Sequence, residues 1–179
     1  LPVMRGMLDG TTPSSSGPHY AIRDAHNVPA PIQRRMPILI GGSGPKVTLR
    51  LVAEYADICN IGGSPAAVAT SDGILIEHCG AVGRDEKTIE RSIDVGVPTI
   101  RDSRAEAFKV KDELFAAQQS EPWKNQPTGT PEDVFEWLAR YVELGYHHLV
   151  FYWPAPYDDE SMVRLATEVR PRLEAMIAG

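Results

Sequence analysis

The apolar positions of this chain fall into four short runs, each followed by a longer stretch with helical spacing. Pro37-Ile38-Leu39-Ile40 is a continuous apolar run ending in Gly41-Gly42-Ser43-Gly44, which predicts a strand buried on both faces and then a tight turn. Pro45 suits a first helical position, and Val47, Leu51, Val52 and Tyr55 recur at helical spacing up to Asp57. Residues 57–61 form the next strand, closed by Gly62-Gly63, and Pro65 opens a helix to about residue 82 that Gly73 weakens. In residues 89–100 the alternation of Ile93, Val95 and Val97 predicts a third strand. Ser103 caps a helix to about residue 119, and residues 121–129 read as a loop. Thr130-Pro131-Glu132-Asp133 combines a capping hydroxyl, a first-turn proline and acids at the positive end of a helix dipole. That helix presents Val134, Trp137, Leu138, Tyr141 and Val142 on one face and stops at Gly145. Residues 147–153 are the fourth strand. Residues 158–177 are the last helix, with Asp158, Asp159 and Glu160 at its positive end and Met162, Leu165, Ala166, Val169 and Leu173 along its apolar stripe.

Strand and helix thus alternate four times, which implies a parallel sheet covered by helices, because parallel strands need crossover connections. Periodicity leaves a closed barrel and an open sheet both standing. Two segments break the rhythm. Residues 1–8 read as the end of a helix, with Val3, Met4, Met7 and Leu8 ahead of Asp9-Gly10, and a start at Leu1 in place of Met predicts residues ahead of it. Residues 10–36, rich in Pro, Ser, Gly and Asn, read as a long loop with one extended stretch at 19–23; loops of this length are functional or disordered.

With 179 residues, 42% of them hydrophobic, the chain suits one globular domain. A net charge of −6 with no basic face argues against nucleic acid or anionic lipid as partner and for a small molecule. No apolar run approaches the roughly 20 residues of a membrane span, and the first ten residues lack a secretory layout, so a cytoplasmic location is expected. Cys59 and Cys79 fit neither a zinc pattern nor a disulfide framework and are expected to be buried thiols.

In parallel α/β folds ligands collect at the carboxyl ends of the strands. Gly41, Gly42, Ser43 and Gly44 lead from a strand toward a helix, where bare backbone amides and the helix dipole favour an anion, with the Ser43 hydroxyl as a further donor. The competing reading is that the glycines only permit a sharp turn. The segment is neither a Walker A loop nor GxGxxG. Asn60, Ile61 and Gly62 end the next strand beside it, and Asn60 can either hydrogen-bond a ligand or shape its own turn. His147 and His148 are adjacent and point to opposite faces of a strand, so they cannot chelate one metal, and no metal site is expected. His19 and Tyr20 in the long loop could reach a substrate, and Trp153 could border a pocket. No side chain stands out as a catalytic acid, base or nucleophile.

An ordered set of segments resembles the luciferase-like monooxygenase family, in particular its branch using coenzyme F-420. The segments are Ser16-Gly17-Pro18-His19-Tyr20, residues 29–33, residues 37–44 with Leu51-Val52-Ala53-Glu54-Tyr55-Ala56-Asp57, Gly83-Arg84-Asp85, and Gly129-Thr130-Pro131-Glu132-Asp133-Val134. The resemblance implies that the whole chain is a partial α/β domain, the C-terminal half of a (β/α)8 TIM barrel comprising strands five to eight with their helices. It implies an F-420- or FMN-dependent oxidoreductase or monooxygenase acting on a small organic substrate. Gly41, Gly42, Ser43 and Gly44 would approach the cofactor phosphate, with Asn60, Ile61 and Gly62 nearby. The alternative is a non-catalytic half-barrel that binds flavin or dimerises. A homodimer, or association with a missing N-terminal half, is the expected assembly.

Overall fold

The computed structural model describes residues 1–118 and 126–178. A short helix α1 (Pro2–Leu8) leads into the long loop, which carries a small antiparallel hairpin of β1 (Ser15–Ser16) and β2 (Ala21–Ile22). The regular part follows: β3 (Leu39–Gly41), α2 (Thr48–Tyr55), β4 (Ile58–Gly62), α3 (Pro65–Val82), β5 (Glu90–Gly96), β6 (Thr99–Ile100), α4 (Arg104–Ala117), β7 (Thr128–Gly129), α5 (Pro131–Glu143) and β8 (His148–Phe151). The chain ends in α6 (Asp159–Arg164), a π-helical turn (Leu165–Val169) and α7 (Arg170–Ala178). β3, β4, β5 and β8 form one parallel sheet in that order, with no reversal of direction of travel across it.

Cα partners in a parallel sheet send their side chains to the same face, so the register sorts the strands into two sets. One set contains Cys59, Ile61, Ile93 and Val95, all buried, and packs under the helices. Leu49, Val52 and Ala53 of α2, Val68, Leu75 and Cys79 of α3, and Val134, Leu138, Tyr141 and Val142 of α5 complete that core with Leu165, Val169 and Leu173. The other set lies in three layers. Leu39, Ile58 and Glu90 form the first, Gly41, Asn60, Ser92 and His148 the second, and Gly62, Asp94 and Val150 the third, toward the carboxyl ends. This second face is open: Leu39 is 48% exposed and Val150 37%, and only Ser92 is buried, between its register neighbours Asn60 and His148.

The expectation that residues 37–40 are buried on both faces is therefore corrected. Ile38 is buried, but Leu39 faces outward because helices cover the sheet on one side only. Other boundaries differ as well, and the fourth strand stops at Phe151, short of the expected residue 153. The helix after the glycine loop starts at Thr48 instead of Pro45, because residues 45–47 form a wide turn in which the Leu49 N–H reaches back to the Gly44 carbonyl (3.0 Å). The third strand stops at Gly96, whose φ of +76° bends the chain ahead of Pro98, which has no N–H to give a ladder. Beyond that bend β6 pairs with β7, so residues 128–129 are strand and not loop, while residues 121–125 lie outside the described residues. The last helix is interrupted by the π-turn at its middle.

Four helices start from side-chain caps: Ser64, Ser103, Thr130 and Asp158 each accept an N–H of the following first turn. Thr130 and Asp133 form a reciprocal capping box, and Gly129 is required beneath it, since a Cβ there would lie 2.5 Å from Asp133 Oδ2. At the amino end of the sheet Asp57 gathers three partners: Arg5 of α1 (2.5 Å), Arg35 of the long loop (3.0 Å) and the Ile38 N–H (2.8 Å). The loop thus rejoins the sheet at the end opposite the glycine turns.

Candidate functional site at the carboxyl ends of the strands

Gly41 and Asn60 are register partners, and the Gly42 N–H donates to the Asn60 carbonyl (2.9 Å), which sets the two strand ends side by side. Gly42 (φ +113°) and Gly63 (φ +131°) take the left-handed turns after β3 and β4 that other residues resist. Gly44 is confined too, because a Cβ there would sit 2.8 Å from Thr48 Oγ1. Gly41 and Gly62 differ: neither has a positive φ, and a Cβ would meet nothing nearer than 3.9 Å and 3.7 Å respectively. The chain's own packing does not demand glycine at those two positions. Their effect is to leave the upper part of the open face bare, with Asn60 between them.

Asn60 Nδ2 donates one hydrogen to Ser92 Oγ (3.0 Å), which leaves Oδ1 and the second N–H for an incoming group. Asp94, in register with Gly62 and Val150, projects from the same face and accepts the Gly96 N–H (3.3 Å). Tyr141 of α5 reaches from the other side of the sheet and donates to the Gly63 carbonyl (2.9 Å), bracing the turn. The start of α2 at Val47 has no side-chain cap, unlike α3 to α6, and opens toward Ser43 and Gly44. Lower on the face, His148 Nδ1 and Glu90 Oε1 are 2.8 Å apart.

The structure therefore brings together Gly41, Gly42, Asn60 and Gly62, with Ser43 and Gly44 exposed beside them. Ile61 is 3% exposed and turned into the helix-covered core, so it brings only its backbone to this rim. His19 and Tyr20 occupy the tip of the exposed hairpin. His147 and His148 do point to opposite faces; His147 lines a cavity of about 470 Å³ flanking β8 on the helix side, with Leu149, Phe151, Trp153 and Met162. That cavity is apolar and lies across the sheet from the open face. Ser92 and Asp94 escaped sequence reasoning, although they are the other parity of the strand whose Ile93 and Val95 were recognised as core. The buried ion pair of Arg101 and Asp158 (2.9 Å), bridged by Ser161, was missed as well; it fastens the segment after β5 to the start of α6. Among the described residues no helix is long and apolar enough to cross a membrane.

The sequence model of the luciferase-like monooxygenase family matches residues 1–127. The chain belongs to that family. A curated member, the F-420-dependent glucose-6-phosphate dehydrogenase of Microbacterium testaceum (strain StLB037), is 25% identical over 99% of this chain and 60% of its own length. Among solved structures, the coenzyme F-420-dependent tetrahydromethanopterin reductase of Methanopyrus kandleri superposes with a TM-score of 0.74 at 15% identity, covering 96% of this chain and 61% of that one. The oxygenating constituent of 3,6-diketocamphane monooxygenase from Pseudomonas putida, a type II Baeyer-Villiger enzyme in complex with FMN, gives 0.61 at 14% identity, over 95% and 60%. At such identities the structures establish a shared fold, the parallel α/β architecture of the luciferase-like TIM-barrel enzymes. The chain spans about three-fifths of the length of these family relatives.

Proposed function

We propose that this chain is the C-terminal half of a luciferase-like (β/α)8 barrel, with β3, β4, β5 and β8 as its fifth to eighth strands. Its function is to hold a reduced coenzyme F-420 or FMN for an oxidoreductase or monooxygenase reaction on a small organic substrate. The observation that carries this reading is the pair Gly41 and Gly62. Both stand at the carboxyl end of the open face, side by side with Asn60, at positions where the backbone would accept any residue. Two such gaps, in successive layers of neighbouring strands, make room for a flat ligand against the strands. Next to them, the amides of the exposed Ser43 and Gly44 and the start of α2, which has no side-chain cap, suit a phosphate group. The donor set fits the cofactors that relatives use: Asn60 Oδ1 for a ring or ribityl donor, Ser43 and backbone N–H groups for an anion. When bound, the cofactor supplies the electrons, and this half of the barrel supplies binding and orientation.

The test is a fluorescence titration of F-420 and of FMN against the complete protein and two variants. Ser43→Asp places a charge against the phosphate, and Gly62→Leu fills the open face. Both positions are exposed, so the fold should be retained. Each substitution should weaken the cofactor that the parent prefers by about tenfold or more, a cost of roughly 1.4 kcal/mol. Unchanged affinity for both cofactors would defeat the assignment. A second reading, flavin binding without turnover, is favoured by one observation: an open face with only half the strands of a barrel. Single-turnover oxidation of the bound reduced cofactor separates the two.

A further inference from the structure

We infer that Asp94 is a specificity-determining residue of the carboxyl-end site: it favours a neutral or cationic ligand part rich in hydrogen-bond donors and turns away a phosphate dianion. This rests on the reading just proposed, and extends it from the cofactor to the group that lies over β5.

The strand register supplies the argument. Among the described residues the open face of the four-stranded sheet carries two carboxylates, Glu90 and Asp94, and no lysine or arginine; Arg91 belongs to the opposite face, where it pairs with Asp72 (2.6 Å) and Glu86 (3.2 Å). The two carboxylates are not equivalent. Glu90 lies in the lowest layer and is engaged by His148. Asp94 lies in the top layer, exposed, flanked by Gly62 and Val150, neither of which offers a polar side chain. Its hydrogen bond comes from the Gly96 N–H, a neutral donor, so its charge faces the open side.

Asn60 adds a neutral group beside Asp94: one amide hydrogen goes to Ser92, which leaves the carbonyl oxygen and one N–H for a ligand. Asp94 is therefore the charged acceptor of this rim, and what satisfies it is a hydroxyl, an amine or a ring N–H. A phosphate or carboxylate there would set like charge against Asp94, an unfavourable juxtaposition. The anion-binding loop at residues 41–44 sits at the other side of the rim, so cofactor phosphate and substrate are read by oppositely biased halves of one edge.

The experiment compares glucose 6-phosphate with glucose as probes, by isothermal titration of the complete protein and of Asp94→Lys and Asp94→Asn. Asp94→Lys should raise the affinity for glucose 6-phosphate by at least about tenfold and leave that for glucose within about twofold; Asp94→Asn, which can still accept the Gly96 N–H, should move the same way by a smaller factor. A glucose 6-phosphate affinity equal in parent and Asp94→Lys, including no binding by either, overturns the proposal, as does tighter binding of the phosphate by the parent than by the variants. Thermal melts confirm that the variants fold. Cofactor titration on the same samples keeps the two readings apart: a parent that binds neither F-420 nor FMN defeats the cofactor assignment, whereas the probe comparison decides the role of Asp94.

Discussion

The Tyr141 hydroxyl donates to the carbonyl of Gly63 at 2.9 Å and so ties α5, on the covered side of the sheet, to the turn that closes β4 on the open side. Burial pushes the Tyr141 phenol up, so it stays a neutral donor through the physiological range. Tyr141→Phe keeps the packing of the ring and deletes one hydrogen bond, which should cost about 1 kcal/mol. For a chain of this size that is a fall in Tm of about 2–4 °C. Because the bond braces the Gly62-Gly63 rim, cofactor affinity should fall as well. Identical melts and identical titrations in parent and variant would show that the contact is idle.

Arg101 and Asp158 form a buried pair that also holds Ser161, while the Ile100 N–H donates to Ser161 Oγ (2.8 Å). Removing one partner leaves the other charge buried alone. Arg101→Met should therefore destabilise the protein by about 3 kcal/mol or more. Adding Asp158→Asn, which retains a cap for the Ser161 N–H, should recover part of that loss. Urea melts of the two variants check both steps, and a double variant no more stable than Arg101→Met would assign the loss to packing instead of charge.

Much of the fold was legible because its units are local. The capping box of Thr130 and Asp133 and the apolar stripe of α5 lie within one helix, and each appears where the pattern put it. What was not legible depends on elements distant in sequence. Arg101 and Asp158 stand 57 residues apart, and nothing near either of them announces the pair. The exposure of Leu39 follows from the absence of cover on one face, and no run of residues encodes that. β7 is two residues long, too short to show a period. At the site, the glycines were visible but not their two roles: Gly42 and Gly63 satisfy a turn, Gly41 and Gly62 do not need to be glycine at all, and only backbone angles and neighbouring distances tell them apart.

Asp57 gives the protein an acid sensitivity of known sign. Burial pulls its carboxyl upward, but the Ile38 N–H and the guanidinium groups of Arg35 and Arg5 outweigh it and hold the carboxyl below its ordinary value of 3.8. A group depressed in the folded state contributes stability that is complete above its unfolded pKa and is lost as pH falls through the folded one. Asp57→Asn should therefore flatten the decline of Tm below about pH 4. Asp133 remains as a second such group, held lower still by Arg104 and the Thr130 N–H, so the decline should shrink without vanishing. An unchanged acid limb would remove Asp57 from the account.

The two thiols should be silent in the native protein. Burial raises Cys59 to about 11 and lifts Cys79 as well, and both side chains are covered by the core. The thiolate is the reactive form, so neither cysteine should react with iodoacetamide at about pH 8. Intact mass should show no adduct on the native protein and two on the urea-unfolded one. Rapid modification of the native state would mean that α3 separates from the sheet more readily than its packing implies.

The open face bears on assembly. Leu39 and Val150 are exposed on it, and Tyr152, just past β8, is 57% exposed. β3 and β8 are the outer strands, so each has one side with no strand beside it in the four-stranded sheet. β8 is flanked in addition by the apolar cavity of about 470 Å³ against α6, the π-turn and α7. Parallel sheets are ordinarily covered on both faces, and raw edges invite pairing with another chain. A strand edge, the exposed Val150 and Tyr152 and an apolar cavity meet along β8, and exposed apolar surface there favours association. The 179-residue chain by itself is therefore expected to sediment as a dimer or larger species, with Val150→Lys shifting it toward monomer by placing a charge in the contact. Sedimentation equilibrium with intact mass is the measurement. A cooperatively unfolding species of 19.6 kDa at all concentrations would show that the one-sided sheet is stable as it stands.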